Sequence, residues 1–137
     1  MVGDERAFYD TNVLIAYLFR EACRFEVAEK LLKKHASKAI SIISIHEIHM
    51  YSIKFNVESK FIKIKKLLQD LFKIIPLTQE ICIKASHIRR DHNIPEVDAL
   101  ILASAVHSAY NHFYTFDKDF EKLDNKRIGR TIIHYMS

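Results

Sequence analysis

Glycine is almost missing from this 137-residue chain, which contains only Gly3 and Gly129. Loops that cradle phosphates, of the P-loop or dinucleotide type, need several glycines in a short span. Nucleotide-cofactor chemistry therefore loses its commonest signatures. Proline is as scarce, and Pro76 and Pro95 both fall between periodic segments. No apolar run approaches the roughly 20 residues that a membrane span requires, so no membrane is expected as a partner. The opening "MVGDERAFYD" carries acids and lacks a signal-peptide pattern, and the expected location is the cytoplasm. Cys23 and Cys82 lie far apart without metal-type spacing, and their apolar neighbours mark them as free core thiols. Internal repeats, low-complexity tracts and linkers are also lacking.

The residues that are present form a globular mixture. Apolar residues make up 49% and charged residues 28%, a balance that excludes a disordered chain. The length is that of one domain, residues 1–137, able to bury a core without disulfide staples. The formal charge of +4 is compatible with a polyanion such as RNA or DNA.

Strand and helix patterns alternate along the chain. "RAFYD" is a strand that leads into the apolar helix "TNVLIAYLF". "FEVAEKLLKKH" repeats its apolar residues at helical spacing. "KAISIIS" is rich in isoleucine, bounded by polar residues, and reads as a buried strand. The helices "IHEIHMYSIKF" and "ESKFIKIKKLLQDLF" follow, then the strand "KIIPL" and a helix opened by Thr78. Pro95 sits at a natural first-turn position for "PEVDALILASAVHSAY". "HFYTFD" is a strand, "KDFEKL" one or two helical turns, and "RTIIHY" a last strand. Such alternation implies a mostly parallel sheet covered on both faces, whose ligand crevice lies outside the carboxyl ends of its strands.

Acids collect at those ends. Asp10 follows the first strand, Glu47 lies just past the second and Asp117 ends "HFYTFD". Asp98 stands in the first turn of the helix leading into that strand. Each also has a local reading. Asp10 or Thr11 can cap a helix, "SIHE" has capping-box spacing from Ser44 to Glu47, Asp117 can cap "KDFEKL", and Asp98 suits a helix dipole. Taken together, the acids point elsewhere. Asp98 shares a helix face with the apolar Ile101, Leu102 and Ala105, so its carboxylate points inward. Carboxylates gathered in an apolar crevice repel one another and cannot all stay ionised unaided. A hard divalent cation such as Mg²⁺ or Mn²⁺ resolves the conflict, and such ions assist displacement at phosphorus.

"YDTNVLI", "SIISIHEI", "EVDALILASA" and "YTFDKDF", in that order, resemble a PIN domain, the nuclease domain of VapC-type toxins. The resemblance covers nearly the whole chain. It implies an α/β, PIN-like three-layer fold, with a central mostly parallel sheet of four or five strands and helices on both faces. It also implies a Mg²⁺- or Mn²⁺-dependent endoribonuclease, the toxin of a toxin–antitoxin pair. By motif, Asp10, Glu47, Asp98 and Asp117 correspond to the catalytic, metal-binding acids. Asn12 and Thr115 correspond to the small polar residues that orient them, and Asp119 is a reserve candidate. The implied partners are an RNA substrate, an antitoxin protein and a second copy of the chain in a homodimer. Glu96 is an extra acid beside Asp98, and its position two residues away on a helix turns it to solvent.

Rival readings are an rRNA-processing PIN nuclease and an inactive PIN-like module that binds RNA or protein. A phosphatase of the haloacid type would need an aspartate where Asn12 stands. "HEIH" lacks the histidine spacing of a zinc protease. The remaining histidines show no clustered spacing and read as surface or satisfied core residues. In "KFIKIKK", Phe61, Ile64 and Leu68 assign one face to the core, which leaves the lysines to solvent. Lys118, Lys122, Lys126, Arg127 and Arg130 adjoin Asp117 and are candidates for RNA contact.

Overall fold

A computed structural model describes residues 5–137. The strands are β1 (Arg6–Tyr9), β2 (Ser37–Ser41), β3 (Lys73–Ile75), β4 (His112–Thr115), β5 (Arg127–Ile128) and β6 (Thr131–Tyr135). They form one sheet in the order β3-β2-β1-β4-β6-β5. Every pairing is parallel except β5 with β6. The helices are α1 (Thr11–Leu18), α2 (Phe25–Lys34), α3 (Ile42–Lys54), α4 (Phe61–Leu71), α5 (Gln79–His92) and α6 (Glu96–His107). Short 3₁₀ segments cover Glu58–Lys60 and Lys118–Leu123.

Alternation along the strands sends side chains to two separate cores. Phe8, Ala39, Phe113 and Ile133 face the layer of α5 and α6. Ala7, Tyr9, Ile40 and Tyr114 face the layer that holds Val13, Ala28, Ile48 and Leu68, from α1 to α4. The result is the expected three-layer fold with a mostly parallel sheet. It has one more strand than the periodicity suggests, because two-residue β5 is too short to alternate. Gly129 turns β5 into β6 with φ +60, and a Cβ there would sit 3.2 Å from Val106 Cγ1. That left-handed turn favours glycine.

Helix ends follow local chemistry. The Thr78 hydroxyl accepts the Ile81 N–H at 3.2 Å, and α5 stops at Asn93 in the left-handed conformation. α6 is apolar on nearly all sides and lies buried between α5 and the sheet, with Ala99, Ile101, Leu102, Ala103 and Ala105 inaccessible. β2 is shorter than "KAISIIS". It ends at Ser41, whose hydroxyl accepts the Ile43 N–H at 3.1 Å and starts α3. Ser44 is therefore a buried residue of the first turn and not the cap.

One expectation is corrected here. Cys23 and Cys82 are both exposed: Cys23 sits at positive φ in the turn before α2, and Cys82 lies on α5 beside the buried Ile81 but off its buried face. Three histidines without clustered spacing gather in space. Burial pushes the pKa of both His35 and His134 down. His35 Nε2 lies 2.7 Å from the Tyr114 hydroxyl, and His112 Nδ1 lies 2.8 Å from His134 Nε2. No helix among the described residues is long and apolar enough to cross a membrane.

Candidate metal centre

β1 and β4 lie side by side, so their carboxyl ends deliver Asp10 and Thr115 to the same spot. The Asp10 N–H continues the ladder to the Tyr114 carbonyl at 2.9 Å. The carboxylate then does two jobs. Its Oδ1 caps α1 by accepting the Thr11 N–H at 2.8 Å, and its Oδ2 accepts the Thr115 hydroxyl proton at 2.7 Å. Asn12 approaches Oδ2 through Nδ2 at 3.4 Å, while its Oδ1 accepts the Phe116 N–H at 3.0 Å. The Thr115 oxygen in turn accepts the Asp117 N–H at 2.9 Å. Thr115 thus links Asp10 to the start of the next acid-bearing turn.

Asp117 caps the 3₁₀ segment by accepting the Asp119 N–H at 2.9 Å, which folds Asp119 back beside it. Asp98 reaches the same place from the first turn of α6. One oxygen from each of Asp98, Asp117 and Asp119 lies within 4.8 Å of the others. Glu47 comes from α3. Its Oε1 accepts the Thr11 hydroxyl proton, and that hydroxyl lies 2.8 Å from the Ser44 hydroxyl. Ser44 donates to Thr11 and Thr11 to Glu47, which is the arrangement that satisfies the two buried hydroxyls and the half-buried carboxylate.

Asp10, Glu47, Asp98 and Asp117 line a single cavity of about 360 Å³. Asp119 lies outside this lining but groups with Asp98 and Asp117, which brings the reserve candidate beside two of the principal acids. Glu96 points away, exposed and 3.5 Å from Arg89. Neither histidine of "HEIH" joins the acids: His46 is exposed and His49 lies 2.8 Å from Glu58. Periodicity did not single out Ile15, Met50, Tyr51 and Lys54, which complete the wall. For Met50, Tyr51 and Lys54 the signal was the helical step from Glu47 along α3, and Ile15 lies one turn beyond Thr11 on α1.

The electrostatics are those of uncompensated negative charge. Burial is the main force pushing Asp10 up to about 7, and Glu47 and Asp117 add to it against the two hydrogen bonds. Burial also leads in raising Asp98 to about 8, helped by Asp10, Asp117 and Asp119. Among the described residues, none of the five acids makes an ion pair. An all-oxygen set of carboxylates with no cationic partner fits a hard divalent ion.

An acid-lined cavity at the carboxyl edge of a mostly parallel, helix-covered sheet places the protein among α/β folds with an oxygen-donor site. The PIN domain profile matches residues 7–126, and the chain belongs to the PIN domain family. It is 26% identical over 135 residues to the ribonuclease VapC2 of Methanocaldococcus jannaschii, covering 88% of this chain and 91% of that protein. It also superposes on a toxin–antitoxin complex from Klebsiella pneumoniae with TM-score 0.71 and 27% identity, covering 92% of this chain and 95% of that one. The fold of VapBC2 from Rickettsia felis, bound to a promoter DNA fragment, matches with TM-score 0.69 at 18% identity, covering 96% and 98% of the two chains.

Proposed function

We propose that residues 1–137 form one PIN nuclease domain, a Mg²⁺- or Mn²⁺-dependent endoribonuclease that hydrolyses RNA phosphodiester bonds and acts as the toxin of a toxin–antitoxin pair. The observation that carries this reading is the meeting of five unpaired carboxylates in and beside one cavity. A stable fold has no use for such repulsion unless a cation relieves it. The VapC ribonuclease among the relatives supports the reaction, and the toxin–antitoxin neighbours support the biological role.

Asp10, Glu47, Asp98 and Asp117, which line the cavity, would hold the ion, with Asp119 grouped beside Asp98 and Asp117. When bound, the ion supplies Lewis-acid polarisation of a phosphoryl oxygen and an acidified water. The chain's own residues do the rest. Thr11 and Thr115 fix the orientation of Asp10, and the Ser44–Thr11 pair fixes Glu47. The polar backbone groups at the ends of β1 and β4 are already committed to the sheet and caps, so they do not compete for substrate. No side chain is placed as a nucleophile, and the expected products carry a 5′-phosphate and a 3′-hydroxyl.

Isothermal titration with Mn²⁺, run beside an RNA cleavage assay, tests the proposal. Wild type should bind the ion and cleave, and Asp98→Asn should lose both by at least about 100-fold. A 2′,3′-cyclic phosphate on the product would mean that the RNA's own hydroxyl attacks, and would sink the mechanism. In cells, induced expression should arrest growth and Asp98→Asn should relieve it. A cytoplasmic location, a homodimer and an antitoxin over the cavity complete the proposal. Exposed apolar residues such as Ile62, at 81% accessibility, support a partner surface.

A further inference from the structure

One helix face carries more than its acid. Glu47, Met50, Tyr51 and Lys54 follow at i, i+3, i+4 and i+7 on α3, and all four line the cavity that holds Asp98. The ridge runs from acid through apolar and aromatic to cation, over about 10 Å at roughly 1.5 Å per residue. The Tyr51 ring is braced by Phe19 and Phe55, each with its centroid 4.5 Å away. Met50 is 51% exposed and Lys54 is exposed, while Glu47 and Tyr51 are half-buried, so the row opens to solvent along one side. Lys54 Nζ stands 5.5 Å from the Phe55 ring centroid and makes no ion pair among the described residues, although acids line the same cavity.

The geometry points to α3 as the substrate-reading ridge, with Met50 and Tyr51 holding an unpaired nucleobase and Lys54 holding the next phosphate. This rests on the nuclease reading above. If the scissile phosphate lies at the acids, the adjoining base meets the apolar and aromatic middle of the ridge. The phosphate beyond it then meets the lone cation. Charge order along the ridge therefore matches charge order along an RNA strand. A base can lie against Tyr51 only when it is free of a helix stack, so the substrate is single-stranded at the cut. Stacking accepts any base, so this contact sets strandedness and not sequence. Lys54 acts as a point charge on phosphate. Both are positioning residues for the reaction.

The test is fluorescence anisotropy with a labelled phosphorothioate RNA of about 12 nucleotides, in Mg²⁺. Tyr51→Leu should weaken binding roughly tenfold, and Tyr51→Phe should restore it. Lys54→Gln should weaken binding and flatten the salt dependence by about 0.7 in log–log slope. A duplex of the same sequence should not distinguish Tyr51→Leu from wild type. Mn²⁺ titration should be unchanged in all three variants. Equal single-strand binding by Tyr51→Leu, Lys54→Gln and wild type, with Mn²⁺ still bound, overturns the ridge and leaves the nuclease standing. Loss of binding to a co-expressed protein partner, with RNA affinity intact, makes the ridge a protein-docking face and also overturns it. Failure of wild type to bind Mn²⁺ sinks the nuclease reading itself.

Discussion

Replacing Asp10 by asparagine stabilises the metal-free protein near neutral pH and loses that benefit in acid. Asp10 titrates at about 7 in the fold against 3.8 for the free side chain, with burial as the main cause. A folded pKa above the unfolded one means that the native state holds the proton more tightly. Stability is then full below 3.8 and falls as pH rises towards 7. Three pKa units at 1.36 kcal/mol each set a ceiling of about 4 kcal/mol on the loss. Asparagine removes the charge and remains a good N-cap, so α1 keeps its start. Its amide turns an amino group towards the Thr115 hydroxyl, which costs about 1 kcal/mol in a poorer hydrogen bond. The net gain is about 2–3 kcal/mol near pH 8, or roughly 10 °C in melting temperature. Urea or thermal unfolding in EDTA across about pH 3–8 measures it. The advantage should vanish near pH 4 and become a small deficit below it. Excess Mn²⁺ should stabilise wild type by an amount that grows with the logarithm of its concentration above Kd, and close the gap from the other side. A deficit that stays constant with pH would refute the argument, because it would mean that Asp10 is only a cap.

Thr11→Val removes the donor that orients Glu47 and strands the buried Ser44 hydroxyl. It should cut cleavage about 10- to 100-fold and cost about 1–3 kcal/mol, read by kinetics and urea unfolding together. Thr78→Ala removes the α5 cap far from the cavity, so it should cost about 1 kcal/mol and leave cleavage untouched. Leu102→Ala hollows the layer between α6 and the sheet, where the side chain is fully buried, and should cost about 2–5 kcal/mol in the same unfolding assay.

The fold was legible where periodicity was strong. "FEVAEKLLKKH" and "TQEICIKASHIRRDH" show a buried face at helical spacing, and both are helices of nearly the expected extent. The strand after α2 was over-extended, because isoleucine at 42 and 43 suits a strand as well as a helix and only the Ser41 cap decides between them. β5 carries two residues and has no pattern to read. The acids were legible because strand ends of a parallel sheet meet at one edge. What holds them was not. Thr11 and Ser44 look like cap residues in the sequence, and their link to Glu47 exists only once α1 and α3 pack. Likewise, His35, His112 and His134 come from separate elements and meet only in three dimensions.

The bond between Asp10 and Thr115 spans 105 positions of sequence. A ribosome therefore adds more than a hundred residues after Asp10 before the second half of that contact exists. Until β4 emerges and slots beside β1, the first acid has no anchor, and Asp98 has neither Asp117 nor Asp119 beside it. An enzyme of the proposed kind would stay inactive until that pairing forms. Fragments that end before residue 112 should be equally inert.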